Sequence, residues 1–201
     1  MIFQNFLLHL ETQGQKQFNP KFRIIPDDHE ILYQLMVWFV CDKEAAHHCG
    51  LSLRKGILLS GPVGCGKTTL MQLIRQMHEP KDQFIVKPCR DVSYEFNQDG
   101  FAVINRYGRS SFDRYGKPKT YCFDDLGSEN AIKFYGNECN VMAEILMSRY
   151  DMFVNRRMIT HMTTNLSSSE IEDYYGLRVR SRLREMFNLI AFPSSTKDKR
   201  T

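Results

Sequence analysis

Between residues 56 and 192, short apolar runs alternate with stretches of helical periodicity. Gly56-Ile57-Leu58-Leu59-Ser60 reads as a buried strand and Lys67 to about Met77 as a helix. Phe84-Ile85-Val86 is a second strand, followed by helix near 91–96. Thr120-Tyr121-Cys122-Phe123 is a third, and Val141 to about Val154 is a helix with Ile145, Leu146, Arg149 and Tyr150 at its centre. Met158 to Thr163 predicts a fourth strand. Ser167 to Glu170 has the spacing of a capping box that opens a helix. A further helix is expected over 177–186, and Asn188 to Phe192 reads as a fifth strand. Apolar strands separated by helices imply a parallel sheet covered on both faces, an α/β three-layer sandwich. Before residue 51 the pattern differs. Phe3, Phe6, Leu7 and Leu10 share one face of a short helix, with Gly14 and Pro20 expected to interrupt the chain beyond it. Asp27 or Asp28 is placed to cap a helix carried to about His48 by Ile31, Leu32, Leu35, Met36, Phe39 and Val40, with Gly50 as its stop.

The most specific chemistry lies between the first strand and its helix. Gly61-Pro62-Val63-Gly64-Cys65-Gly66-Lys67-Thr68 fits the phosphate-loop pattern G-x-x-x-x-G-K-[ST], and Thr69 continues it into the helix. Glycines let the loop approach closely enough for backbone N–H groups to face phosphate oxygens. The helix N-terminus adds its positive dipole end. Lys67 is expected to neutralise the β- and γ-phosphates of ATP, and Thr68 to bind Mg²⁺. The third strand delivers Asp124 and Asp125 at its C-terminal end, where ligands bind in open α/β sheets. Asp124 is expected at Mg²⁺ through water, and Asp125 to orient or deprotonate the attacking water. The fourth strand ends in Thr163-Thr164-Asn165, where an amide can bond both the γ-phosphate and that water. Arg178 and Arg182, four apart on one helix face, read either as a solvated face or as an arginine finger.

Composition narrows the class. With 201 residues, 42% apolar and 25% charged, the chain is one globular domain rather than a disordered or coiled-coil one. The run Ile31 to Cys41 is too short to span a bilayer, and the N-terminus lacks a basic segment and cleavage site, so no membrane and a cytoplasmic setting are expected. Six scattered cysteines point the same way, as reduced thiols. His47-His48-Cys49 lacks a companion ligand pair and reads as surface. The net charge of +4 resides at the C-terminal end, where seven basic residues face two acidic ones from residue 176 onward. Arg106, Arg109, Arg114, Lys117 and Lys119 alternate with Tyr107, Phe112, Tyr115 and Tyr121, which suits either a solvated connector or single-stranded DNA.

The order phosphate loop, Asp-Asp-Leu-Gly, Thr-Thr-Asn, Arg-x-x-x-Arg-Leu resembles an AAA+ ATPase. It resembles more narrowly the helicase loaders of the DnaC type and the transposition helper ATPases of the IstB type, over about Arg54 to Phe192. The resemblance implies five parallel strands in the order 5-1-4-3-2 with little or no helical lid. It implies a Walker B pair at Asp124 and Asp125, sensor 1 at Asn165, and Arg182 acting on nucleotide in a neighbouring subunit with Arg178 in support. It further implies self-association through the ATP site and a helicase or transposase partner. The AAA+ pair is usually Asp-Glu, so the shorter Asp125 shares attention with Glu129, and no sensor 2 arginine is assigned. Three segments are expected: an N-terminal arm and helix over 1–50 that docks a partner, the ATP-binding core over 51–192, and a basic tail over 193–201. Two other readings remain, a small-molecule P-loop kinase and a nucleotide-gated binding module with little turnover.

Overall fold

In β1 (Gly56–Ser60) alternate side chains enter opposite layers: Ile57 and Leu59 join the core on one face, Leu58 that on the other. The computed structural model describes residues 2–129, 132–134 and 137–199, with 132–134, 137 and 138 described by backbone alone. β2 (Ile85–Pro88), β3 (Tyr121–Leu126), the short β4 (Ile132–Phe134) and β5 (Asn137–Cys139), β6 (Thr160–Thr164) and β7 (Phe187–Ala191) follow. Five of them form one parallel sheet in the order β2-β3-β6-β1-β7. Counting only these five in chain order gives 2-3-4-1-5, the expected 5-1-4-3-2 read from the other edge. β4 and β5 form a separate antiparallel pair, with Ile132 opposite Cys139, that the sequence pattern did not signal.

The helices are α1 (Ile2–Gln17), α2 (His29–Phe39), α3 (Lys43–His48), α4 (Lys67–Met77), α5 (Cys89–Asp99), α6 (Phe101–Tyr107), α7 (Val141–Arg156) and α8 (Ser168–Met186). Phe6, Leu7 and Leu10 of α1, Leu32 and Leu35 of α2, and Met71 and Leu73 of α4 cover one face of the sheet. Val92 and Phe96 of α5, Val103 of α6, Ile145 and Leu146 of α7, and Val179 and Leu183 of α8 cover the other. Among the described residues no helix is long and apolar enough to cross a membrane. The six cysteines are free thiols.

Three expectations need correction, and one helix was not foreseen. Gly14 does not interrupt α1: it lies inside the helix because the Phe22 ring packs where a Cβ would stand, 2.3 Å from Phe22 Cδ1. The helix expected to reach His48 breaks at Cys41, whose φ is +54°, and Asp42 caps the new helix α3 by accepting from the Ala45 N–H at 3.0 Å. Asp28 caps nothing with its side chain. α6, absent from the sequence reading, restarts after Gly100 (φ +57°) and buries Val103 and Tyr107.

One buried group sets a pH dependence. His161 of β6 lies between Trp38 and Phe84, its Nδ1 accepting the Ile57 N–H at 3.2 Å. Burial, helped by His78 and Arg149, lowers its pKa from 6.5 to about 3. The fold therefore disfavours the charged form. Its contribution to stability is complete above the unfolded pKa of 6.5 and is lost as pH falls toward about 3, at about 1.4 kcal/mol per pH unit. Urea unfolding from pH 7 to 4 should show this slope, and His161→Asn, which keeps an acceptor but cannot titrate, should be correspondingly flatter. Equal slopes would show that another group carries the acid sensitivity.

Candidate functional site

Successive Gly64 and Gly66, with φ of +80° and +101°, turn the chain from β1 into α4. α4 begins at Lys67 with no side-chain cap, so its first N–H groups face outward at the positive end of the helix dipole. Such an end is an anion site by construction. Above it opens a cleft of about 530 Å³ lined by Val63, Gly64, Gly66, Lys67, Thr68 and Thr69 from the loop, Asp124 and Asp125 from β3, and Asn165 just beyond β6. Gly61, Pro62 and Cys65 form the base of the loop rather than the cleft wall. Lys67 is folded back, its Nζ donating to the carbonyls of Gly61 at 2.7 Å and Pro62 at 2.9 Å.

The acidic pair is held from both sides. Thr68 Oγ1 lies 3.0 Å from each Asp124 carboxylate oxygen. From the neighbouring strand, Thr163 Oγ1 donates to Asp124 Oδ1 at 2.7 Å and accepts the Asp125 N–H at 2.8 Å. Thr164 Oγ1 donates to the Leu126 carbonyl at 2.8 Å. These two threonine hydroxyls bridge β6 to β3 where the pairing register shifts between Phe123 and Leu126. Asp125 sits in that irregularity with φ +60°, its side chain exposed to the cleft. A non-glycine residue held there costs on the order of 1 kcal/mol, a strain the Thr163 bond helps to fix. Sequence reading placed the aspartates past the strand end; β3 runs through both and ends at Leu126. It also missed Thr163, whose only signal was a hydroxyl at a strand position buried on both sides.

Glu129 does not enter this cleft. Its carboxylate accepts from the Tyr175 hydroxyl and from the Gly127 N–H at 3.0 Å, and burial together with Glu129 raises the Tyr175 pKa. Arg182 is also elsewhere. Its guanidinium stacks 4.4 Å from the Tyr150 ring centroid and donates to Glu185 at 3.0 Å, while its buried Nε has no partner. Arg178 lines a surface hollow with Arg109, Glu144 and Asp151. The basic connector is partly consumed by the fold: Arg106 pairs with Glu95 and Asp99, Lys117 with Asp82, and Tyr107 and Tyr121 are buried. Arg109, Arg114, Tyr115 and Lys119 stay at the surface or its hollows. Three aromatic or polar residues that sequence reading overlooked, Phe18, Asn19 and Phe22 after α1, line the same cleft, as does Lys199.

No family model matches the sequence, and no curated protein was found to match it. Solved structures do. The DnaC helicase loader superposes with a TM-score of 0.59 at 16% identity, covering 96% of this chain and 99% of that one. The DnaI structure gives 0.55 at 16% identity, covering 88% and 90%. AMPPCP-bound DnaA from Aquifex aeolicus gives 0.56 at 18% identity, covering 85% of this chain and 48% of that one. At these identities the likeness is one of fold, an AAA+-like α/β sandwich with a parallel sheet in the order 5-1-4-3-2.

Proposed function

We propose that the protein binds ATP·Mg²⁺ in this cleft and hydrolyses it as a nucleotide-driven switch. The observation that carries the reading is convergence: the glycine-rich loop, the uncapped start of α4, both aspartates and Asn165 line one cleft. Lys67 leaves the Gly61 and Pro62 carbonyls to meet the β- and γ-phosphates. Thr68 and Asp124, already paired through hydrogen, are a hard oxygen set suited to Mg²⁺. Bound Mg²⁺ would supply charge neutralisation at the phosphates. Asp125 orients the attacking water and takes its proton, Asn165 bonds the water and the γ-phosphate, and Phe18 and Phe22 offer apolar surface to the base. Arg182 does not line its own chain's cleft, so it serves the cleft of a neighbouring copy. Glu129, engaged by Tyr175 and Gly127, yields the carboxylate role to Asp125. The fold it shares with the DnaC loader favours a place in DNA replication over a transposition helper.

Calorimetry with ATP·Mg²⁺ tests the core of this. Lys67→Ala should lose binding while remaining folded, and undiminished affinity would sink the reading. Asp125→Asn should bind normally but turn over at least about 10²-fold more slowly, because an amide is a poor proton acceptor. Contact with single-stranded DNA, proposed for the exposed Arg109 and Arg114, should weaken with salt. Replacing both by Ala should reduce the salt slope of binding by about 1.4. Anisotropy titrations at several salt concentrations would show an unchanged slope if these arginines are only solvated.

A further inference from the structure

All three loop glycines are approached by the segment that succeeds β7. A Cβ on Gly61 would stand 2.6 Å from the Phe192 Cβ, one on Gly64 2.1 Å from the Asp198 carboxylate, and one on Gly66 4.0 Å from Lys199 Cδ. The segment is fixed along its length. The Phe192 N–H donates to the Ser60 carbonyl at 2.8 Å, the Thr196 N–H to the Pro193 carbonyl at 3.0 Å, and the Lys199 N–H to the Gly64 carbonyl at 3.0 Å. The Lys199 ammonium lies 5.1 Å from the Phe192 ring centroid and donates to both oxygens of Asp28, at 2.6 and 2.7 Å. Asp28 is only 5% exposed, in the turn that leads into α2.

A carboxylate this buried does not release its counter-cation cheaply, because separation strands a charge in the interior. The pair is therefore an anchor, unlike an exposed surface ion pair. Its consequence falls on the loop. N–H groups converge on an anion only while the loop carbonyls point elsewhere. The Gly64 carbonyl is committed to the Lys199 N–H, and Lys199 lines the cleft with its stem beside Gly66.

We propose that residues 192–199 are a strap that holds the phosphate-binding loop in its receptive shape, with Lys199 as the positioning residue and Asp28 as its anchor. The proposal rests on the nucleotide reading above and adds a determinant of affinity outside the loop. Lys199→Met keeps the stem and removes the charge. It should weaken both ATP·Mg²⁺ and inorganic tripolyphosphate about tenfold, since small misplacements of binding groups are costly. Asp28→Asn should do the same, the double variant should be no worse than either, and Lys199→Arg should recover most of the affinity. Hydrogen exchange over residues 61–69 without ligand should be faster in Lys199→Met than in the parent. This readout needs no nucleotide and stays interpretable if Asp28→Asn folds poorly. Parental affinity for both ligands in Lys199→Met, or a loss confined to ATP with tripolyphosphate spared, would overturn the strap. If the parent itself bound neither ligand, the nucleotide reading would fall; unchanged loop exchange in Lys199→Met would then dispose of the strap as well.

Discussion

Arg182→Ala should reduce ATP turnover by about 10³-fold or more while leaving ATP affinity intact, because an arginine finger is typically worth ~10³–10⁵ in rate. The geometry motivates the size and the sign. Arg182 lies outside its own cleft, on Tyr150 and Glu185, so its loss leaves the local nucleotide contacts untouched. Its ion pair with Glu185 is half-exposed and costs little to open when a neighbouring copy approaches. Lys67→Ala subunits should be inactive alone for the opposite reason, lacking nucleotide. Mixing the two variants should restore part of the activity wherever a Lys67→Ala subunit presents Arg182 to ATP held by an Arg182→Ala subunit. The recovery should rise with protein concentration, since the shared site must assemble first. Wild-type turnover in pure Arg182→Ala protein would defeat the assignment.

Arg149→Met should be the most damaging substitution for the fold. The Arg149 side chain is fully buried and faces no carboxylate in any of its described bonds. It donates to Thr160 Oγ1 at 2.7 Å and to the carbonyls of Tyr107 at 2.8 Å and of Lys119 and Ile159 at 3.0 Å. The rings of Tyr121 and Phe123 flank the guanidinium at 5.4 and 5.7 Å. Burial lowers its pKa to about 9, which still leaves it charged near neutrality. Methionine fills the volume but leaves the buried Tyr107 carbonyl, the part-buried carbonyls of Lys119 and Ile159 and the buried Thr160 hydroxyl without this donor, at about 1–3 kcal/mol for each fully buried group. A loss of ~3–5 kcal/mol corresponds to a melting temperature lower by on the order of 10 °C. Arg149→Lys should rescue little, because one ammonium cannot span donors spread in a planar fork. A melting temperature within a few degrees of the parent would show that water or backbone shifts satisfy these carbonyls.

What the sequence made legible is what chemistry writes locally. The phosphate loop is contiguous, so its residues announce both the turn and the anion site. The aspartates and Asn165 could be placed because each follows a short run that reads as a strand, Tyr121-Cys122-Phe123 and Met158 to Thr163. Thr163 could not: its role depends on which strand lies beside β3 and on the register shift opposite it. The Lys199–Asp28 pair joins positions 171 residues apart and leaves no local trace. Gly14 was misread because glycine usually marks a break, whereas here it clears space for a ring from a later turn. Arg149 stood in plain view, a cation among apolar helical positions, yet only tertiary packing reveals what it holds.

The interruption of α8 separates the end of the helix nearest Asn165 from the half that carries Arg182. Gly176 has φ +84° and ψ 158° inside α8, so the hydrogen-bonded ladder stops there and begins again. The first half starts at the Ser167 capping box, two residues after Asn165, and is moored by the Tyr174 carbonyl to Asn140 and by Tyr175 to Glu129. The second half carries Arg178 and Arg182 and is moored to Tyr150 and, through the Arg184 carbonyl, to Lys55 at 2.8 Å. The kink is laced by Arg180 of the second half, which donates to the Ser168 hydroxyl at 2.9 Å and to the Glu172 carboxylate of the first. Two side-chain bonds, not the helical ladder, thus carry a displacement at the Asn165 end across the kink, and Arg182 is held besides by α7 and by Lys55 just before β1.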